Sequence, residues 1–324
     1  MKTSLITSLL LSACVGYAQS DLRFSNVRTL TNRELALTLS GGTSSLYRIE
    51  VSSNLVNWSG LATLPLTASS LQQTDTAAPY LQLRNYRALQ FNDTNALTGD
   101  HLTTTNGDLI IHPINHASFV MKWNGKMIYN DPVGGATPYL GLARADLILI
   151  SHAHGDHYDP NTLTAVKGAN CVVVAPSIVS SSSTFPAALK PTTVTLANGG
   201  STSAIGITIE AIPAYNVINP LNHPPGQGNG YVLTIGGRRI YMAGDTEDVP
   251  AMRNLTNIDV ALICMNLPYT MSITNAASAV RQFGPHVIYP YHYQNQGGTF
   301  SDLNGFKRLV GQDLGIEVRL RKWY

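Results

Sequence analysis

The chain has 324 residues, with 44% hydrophobic and only 12% charged side chains and a formal net charge of +2. Ser, Thr, Asn and Gly fill the place of charge, against a usual charged share of about 25%. This composition excludes a disordered polyelectrolyte and gives no basic stripe of the kind a nucleic-acid enzyme carries. The length fits two domains, or one large domain with an appendage.

The first residues read as an export signal over 1–18. Lys2 precedes the apolar run "SLITSLLLSA", and Gly16 and Ala18 in "GYA" offer small residues for cleavage after Ala18. A second reading takes "LSAC", Leu11 to Cys14, as a lipobox, with a lipid anchor on Cys14. Either way the expected location is periplasmic or extracellular. No later run is long and apolar enough for a transmembrane helix.

Residues 21–92 show period-two alternation. Leu35, Leu37 and Leu39 alternate with smaller or polar residues, as do Tyr47, Ile49 and Val51, and Leu81 and Leu83 extend the pattern. Gly, Ser and Asn turns separate these runs, which predicts half-buried antiparallel strands in a small β-sandwich. Trp58 is expected as a core anchor. The phrases "SSNLVNW", "TDT" and "NYRAL" resemble fibronectin-III-like modules of secreted bacterial proteins, which act as spacers or docking surfaces. Residues 93–107 have linker composition.

From Asp108 to Tyr324 the pattern changes. "DLIIHPI" and "HASFVMKW" read as strands, and Asn124–Gly125 marks a hairpin before "MIYND". "ADLILIS" is a continuous apolar run, as in a strand covered on both faces. "DPNTLTAVKG" carries a cap and a terminal Gly and predicts a helix. Strands and helices then alternate: "CVVVAP", a weak helix in "PSIVSSSSTFPAAL", "ITIEAIPAYN", "YVLTIGGRRIYMAGD", "IDVALICMN", a helix in "TNAASAVRQFG", "HVIYPYHY", a helix in "FSDLNGFKRLVG", and "IEVRLRKW". This order suits two packed sheets with helices outside. Cys171 and Cys264 sit in apolar runs and read as buried, inert thiols. The late cations Lys307, Arg308, Arg319, Arg321 and Lys322 read as a solvated face rather than a phosphate site.

The chemistry concentrates in "SHAHGDHYD", residues 151–159. His152 and His154 are two apart and share a side of an extended strand end. Gly155 permits a tight turn that redirects Asp156 and His157. Imidazoles and carboxylates without thiolates suit zinc, and also manganese or iron.

The HxHxDH pattern is the signature of the metallo-β-lactamase-fold hydrolases, and residues 108–324 resemble that superfamily. "RRIYMAGDT" supplies the aspartate the pattern requires, Asp245, and "VIYPYHY" supplies the late histidine, His292. The resemblance implies an α/β fold, an αββα sandwich with a metal site at the seam of its two sheets, here carrying a small N-terminal all-β domain. "HASFVMKWNGKMIYNDPV", "DLILISHAHGDHYDP" and "AGDT" look like the branch holding ascorbate-phosphate lactonase and the phospholipase D that cleaves N-acylphosphatidylethanolamine. It further implies two divalent ions: His152 and His154 on the first, Asp156, His157 and His292 on the second, and Asp245 bridging.

One position departs from the pattern. Asn216 stands where most members place the first ion's third histidine. His223 is the candidate substitute, although an exposed loop histidine is the favoured reading for it. The Asn219–Gly230 loop is the candidate substrate-facing flap. His116 and Asp131 fall at strand ends, where each either hydrogen-bonds a ligating imidazole or caps a local turn.

Two such ions lower the pKa of water, so that hydroxide can attack an ester, phosphodiester, lactone or amide of a small-molecule substrate. The second cation neutralises the oxyanion. Asp156 would orient the nucleophile or accept its proton. The alternative is a non-catalytic extracellular metal- or ligand-binding protein with a degenerate site, motivated by Asn216.

Overall fold

The computed structural model describes residues 6–9, 22–42, 45–91 and 96–324. Cys14, Gly16 and Ala18 lie outside the described residues, while Ile6–Leu9 is a short strand running parallel to Leu83–Tyr86. The chain divides into two compact units, Met1–Thr103 with Asp108–His112, and Thr104–Gly107 with Pro113–Tyr324.

The first unit is built from strands. Arg23–Thr29, Leu35–Ser40 and Ser70–Asp75 form an antiparallel sheet. Ser45–Ser52 lies between Ser59–Leu66 and Leu83–Phe91 in a second antiparallel set. The expected alternation is realised at Leu35, Leu37 and Leu39, which join Tyr47, Ile49 and Tyr86 in one core. Each such side chain contributes about 1.5–3 kcal/mol by leaving water.

Several expectations are corrected in this unit. Leu81 and Leu83 are exposed, and Tyr86 and Ala88 face the core instead. Trp58 is half-buried at the surface, with the Arg87 guanidinium 4.3 Å above its ring. Within the stretch read as linker, Gly99–Thr104 is a strand pairing Ala62 with Asp100. Its buried positions are Asp100 and His101 rather than apolar residues, so no periodicity marked it. His101 is satisfied by Thr63 Oγ1 and by Asp108 Oδ2, each at 2.8 Å. Gly60 makes room for it, since a Cβ there would lie 2.6 Å from His101 Nδ1.

The second unit holds two mixed sheets. In one, Ser118–Trp123 and Lys126–Asn130 form the predicted hairpin, with Asn124 and Gly125 both at positive φ. Ala145–Leu149, Lys167–Ala175 and Thr193–Thr195 extend it in parallel. In the other, Ile207–Ala214, Gly228–Ile235 and Arg238–Met242 are antiparallel. Val260–Cys264, Val287–Tyr291 and Glu317–Val318 then continue in parallel.

The sheets face one another across an apolar interior. Phe119 of the first meets Tyr291 of the second edge-on at 6.2 Å, and Trp323 meets Phe119 at 5.8 Å. Tyr231 Oη donates to Ile150 O at 2.8 Å, which satisfies a buried hydroxyl across the same gap. Helix Pro160–Val166 starts at Asp159, whose side chain accepts from Asn161 N. Helix Ile273–Phe283 is capped by Ser272 and ends at Gly284, φ 57°, and its Phe283 packs edge-on to Tyr241 of the second sheet. Helix Leu303–Val310 is capped by Asp302.

Cys171 and Cys264 are buried free thiols, and burial pushes them up to about 11 and about 12. Arg319 leaves the expected solvated face: it is buried and bonded to Glu317 at 2.7 Å and to Tyr289 Oη at 2.9 Å. Among the described residues no helix is long and apolar enough to cross a membrane.

Candidate metal centre

Parallel strands that end at one edge deliver the site. Asp131 follows Lys126–Asn130, the 151–159 loop follows Ala145–Leu149, Asp245 follows Arg238–Met242, and His292 follows Val287–Tyr291. The carboxyl ends of strands in open α/β sheets are where ligands bind. Gly244 carries the chain into Asp245 at φ 64°, and a Cβ there would lie 2.9 Å from Asn229 O. Gly155, by contrast, is not at positive φ and has open space around it, so the turn does not require glycine. The turn is closed by His154 O, which accepts from His157 N and Tyr158 N.

Two sets of ligand atoms converge. In the first, His152 Nε2 and His154 Nδ1 are 3.0 Å apart, and the His223 ring lies 5.1 and 4.9 Å from theirs. In the second, His292 Nε2 lies 3.5 Å from Asp156 Oδ2 and 3.3 Å from Asp245 Oδ1, and His157 Nε2 lies 3.4 Å from Asp245 Oδ1. The other Asp245 oxygen, Oδ2, is 3.3 Å from His223 Nε2. One carboxylate therefore faces both sets.

The atoms fit cations. His157 Nε2, His223 Nε2, Asp245 Oδ1 and His292 Nε2 are buried without a hydrogen-bond partner. Each such atom costs about 1–3 kcal/mol unless something satisfies it. Nitrogen and oxygen ligands held at 2.0–2.1 Å around a tetrahedral ion are about 3.4 Å apart, which is the spacing these atoms adopt. His152, His157, Asp245 and His292 are buried, while His154 and Asp156 are exposed, so the cluster opens on that side. There His154, Asp156, Leu221, Asn222, His223, Asp245, Asn266 and Tyr269 line a cavity of about 380 Å³.

His223 is the correction that matters most. It is 6% exposed rather than a free loop histidine, and it groups with His152 and His154. Asn216 lies beside it, with its own Oδ1 buried and without a hydrogen-bond partner. Its Nδ2 donates to Tyr269 O at 2.7 Å, its N donates to His223 O at 2.9 Å, and His223 Nδ1 bonds the same Tyr269 carbonyl at 3.2 Å. That bond leaves His223 Nε2 free to face Asp245. The flap is also shorter than expected, because Gly228–Gly230 belong to a buried strand.

Asp131 takes the role of orienting an imidazole. It is fully buried, and its Oδ2 accepts from His157 Nδ1 at 2.8 Å and from Ser151 Oγ at 2.7 Å, while Oδ1 accepts from Ser151 N at 2.7 Å. This network assigns the His157 proton to Nδ1 and turns the Nε2 lone pair to the cluster. His116 bonds a carboxylate rather than an imidazole. Its Nε2 lies 3.0 Å from Asp156 Oδ2, its Nδ1 lies 2.8 Å from Tyr324 Oη, and its ring packs 3.8 Å from that of His292. His116, Asp131 and His292 all sit at positive φ, a strain that side chains tolerate where the surroundings hold them.

The charges are arranged asymmetrically. Burial and the neighbouring His157 hold His152 well below the ordinary imidazole value, and burial and His223 lower His154. Burial opposes protonation of His157 as well, but Asp245 and Asp131 outweigh it and raise His157 well above that value. His292 is raised against burial by Asp245 and Asp156. Asp245 and Asp156 are held below the usual carboxylate range against burial, Asp245 by His292 and His157, Asp156 by His116 and His292.

Sequence reasoning did not single out Ser151, Glu247, Tyr269 or Tyr324. Ser151 opens the quoted motif, and its position was a signal within reach. Tyr324 lies 208 residues from His116, and nothing local in the sequence joins them.

A family model described as a beta-lactamase superfamily domain matches residues 111–292. A UPF0173 metal-dependent hydrolase of Thermococcus kodakarensis is 32% identical over 213 residues, covering 63% of this chain and 93% of the relative. One of Pyrococcus abyssi is 29% identical over 215 residues with the same coverage. The crystal structure of a protein from Parabacteroides distasonis assigned as a metal-dependent hydrolase is 38% identical, with TM-score 0.62, covering 70% of this chain and 99% of that one.

Proposed function

The chain belongs to the beta-lactamase superfamily as a metal-dependent hydrolase, and from that premise we propose that it works with two divalent ions, zinc in the first instance. The observation that carries this reading is the Asp245 carboxylate, with one oxygen toward His223 and the other toward His157 and His292. His152, His154 and His223 would hold one cation, and Asp156, His157 and His292 the other. Bound there, the cations would supply Lewis acidity, making water a nucleophile at neutral pH and stabilising a developing oxyanion.

The chain's own residues set the rest. Asp131 keeps the His157 Nε2 lone pair available. Asp156 reaches the open side of the cluster, where it can orient attacking water and accept its proton, held in place by His116 and, through it, by Tyr324. The water oxygen adds to a carbonyl carbon or phosphorus, the bond to the leaving group breaks, and the leaving group takes up a proton. Esters, phosphodiesters, lactones and amides all suit this chemistry. The motive for a degenerate, non-catalytic site disappears once His223 stands in the place first given to Asn216.

We infer from its sequence an export signal over 1–18, followed by a fibronectin-III-like spacer; the two-sheet core of the first unit supports the spacer alone. Mass spectrometry of the fractionated protein would separate cleavage after Ala18 from acylation at Cys14. The catalytic reading is tested by metal analysis and a zinc and manganese screen over the four substrate classes. Asp245→Ala and His154→Ala should each lose bound metal and turnover. Unchanged turnover in either variant removes the assignment.

A further inference from the structure

Resting on the hydrolase reading above, we propose that the substrate is amphiphilic. Its scissile polar group enters the His/Asp cavity, and an aliphatic chain attached to it lies along the 216–223 loop over Val217, Ile218 and Leu221.

The loop presents apolar side chains to water beside the site. Val217 is 62% exposed, Ile218 81% and Leu221 90%, and Leu221 also lines the cavity. Exposed apolar residues scattered singly need no explanation, but three within five residues of one loop, the last of them lining the cavity, are a feature of the kind that marks binding. Leu267, 46% exposed, follows the cavity-lining Asn266 in the chain.

The loop is held rigidly. Glu247, 6% exposed, accepts from Val217 N and Ile218 N through the same Oε2, each at 2.7 Å. Asn216 N closes the loop onto His223 O at 2.9 Å, and Asn222 N bonds Asn219 O at 3.2 Å. A nearly buried carboxylate thus fixes the backbone while Val217 and Ile218 stay in solvent. That arrangement costs desolvation of the acid and hydration of the apolar groups. Covering the side chains with substrate recovers the second cost, and pre-ordering lowers the entropy of binding.

Charge points the same way. No Lys or Arg is among the residues lining the cavity, and 216–223, "NVINPLNH", carries no Asp, Glu, Lys or Arg. Nothing there would grip a polyanionic extension of the substrate. The loop also ends in His223, so the apolar surface and the cluster share one stretch of backbone and keep a set separation.

The test uses the zinc-loaded full chain and n-alkylphosphonates from methyl to octyl, with binding read by calorimetry. The phosphonate group serves as a non-hydrolysable head for the cluster. A chain resting on one apolar surface gains about half the free energy of full burial, roughly a twofold tighter Kd per methylene. In Val217→Ser/Ile218→Ser, read against its own methylphosphonate value, the gain should fall below about 1.3-fold. Methylphosphonate binding with no gain on lengthening overturns the inference and leaves the hydrolase reading intact. An unchanged gain in the double variant also overturns it, because the chain then lies elsewhere. Asp245→Ala should lose phosphonate binding at every length, and binding retained in that variant would overturn the cluster assignment itself.

Discussion

Asp131→Asn isolates one proton at the site. The substitution keeps shape, and asparagine tolerates the left-handed backbone that Asp131 adopts at φ 41°. The amide oxygen can still accept from Ser151 N, but an NH2 group replaces the oxygen that faces Ser151 Oγ at 2.7 Å and His157 Nδ1 at 2.8 Å. Donor then meets donor. His157 can recover a hydrogen bond by moving its proton to Nε2, the atom 3.4 Å from Asp245 Oδ1. A protonated Nε2 has no lone pair for a cation. Loss of such an orienting partner costs about 10–100-fold in metal affinity, or about 1.4–2.8 kcal/mol. Zinc competition against a chromophoric chelator reads this directly, with the melting temperature as the folding control. Ser151→Ala, which leaves the Asp131–His157 bond in place, should cost less than about fivefold. Zinc affinity of Asp131→Asn within twofold of the parent at both sites, in a folded protein, would refute the tautomer argument.

Three further outcomes are expected. His223→Ala should reduce bound zinc from two equivalents toward one after dialysis, measured by elemental analysis, whereas Asn216→Ala should keep both and lose about 1–3 kcal/mol of stability in urea unfolding. Metal-free protein should be most stable near pH 6.5, the unfolded imidazole value. Below it the unfolded chain binds protons that His152, His154 and His116 refuse when folded, so stability rises with pH; above it His157 and His292 keep protons that the unfolded chain has released, so stability falls. Thermal melts of chelated protein from pH 5.5 to 8.5 check this, zinc should suppress the alkaline decline by displacing those protons, and a monotonic profile would contradict it. In the first unit, Asp75→Ala should destabilise by about 3–5 kcal/mol, because Asp75 is fully buried and accepts from Arg84 at 2.7 Å and from Tyr86 Oη at 2.7 Å; a loss under 1 kcal/mol in denaturant unfolding would count against a buried pair.

The sequence by itself determined the local elements and the chemistry. Period-two leucines marked the strands of the first unit, Asn124–Gly125 marked a hairpin, and Asp159 marked a helix start, because those signals act between residues adjacent along the chain. His152, His154, Asp156 and His157 were legible for the same reason, and Asp245 and His292 through the order of motifs. Tertiary structure alone decided which side chains complete the cluster. His223 became a partner of His152 and His154 because Asn216, Tyr269 and Glu247 fold its loop inward, and those bonds join residues up to 53 positions apart. His116 met Asp156 instead of an imidazole because Tyr324, at the far end of the chain, fixes its other nitrogen. Periodicity records which face of an element is buried; it carries no information on which loops meet once the two sheets pack.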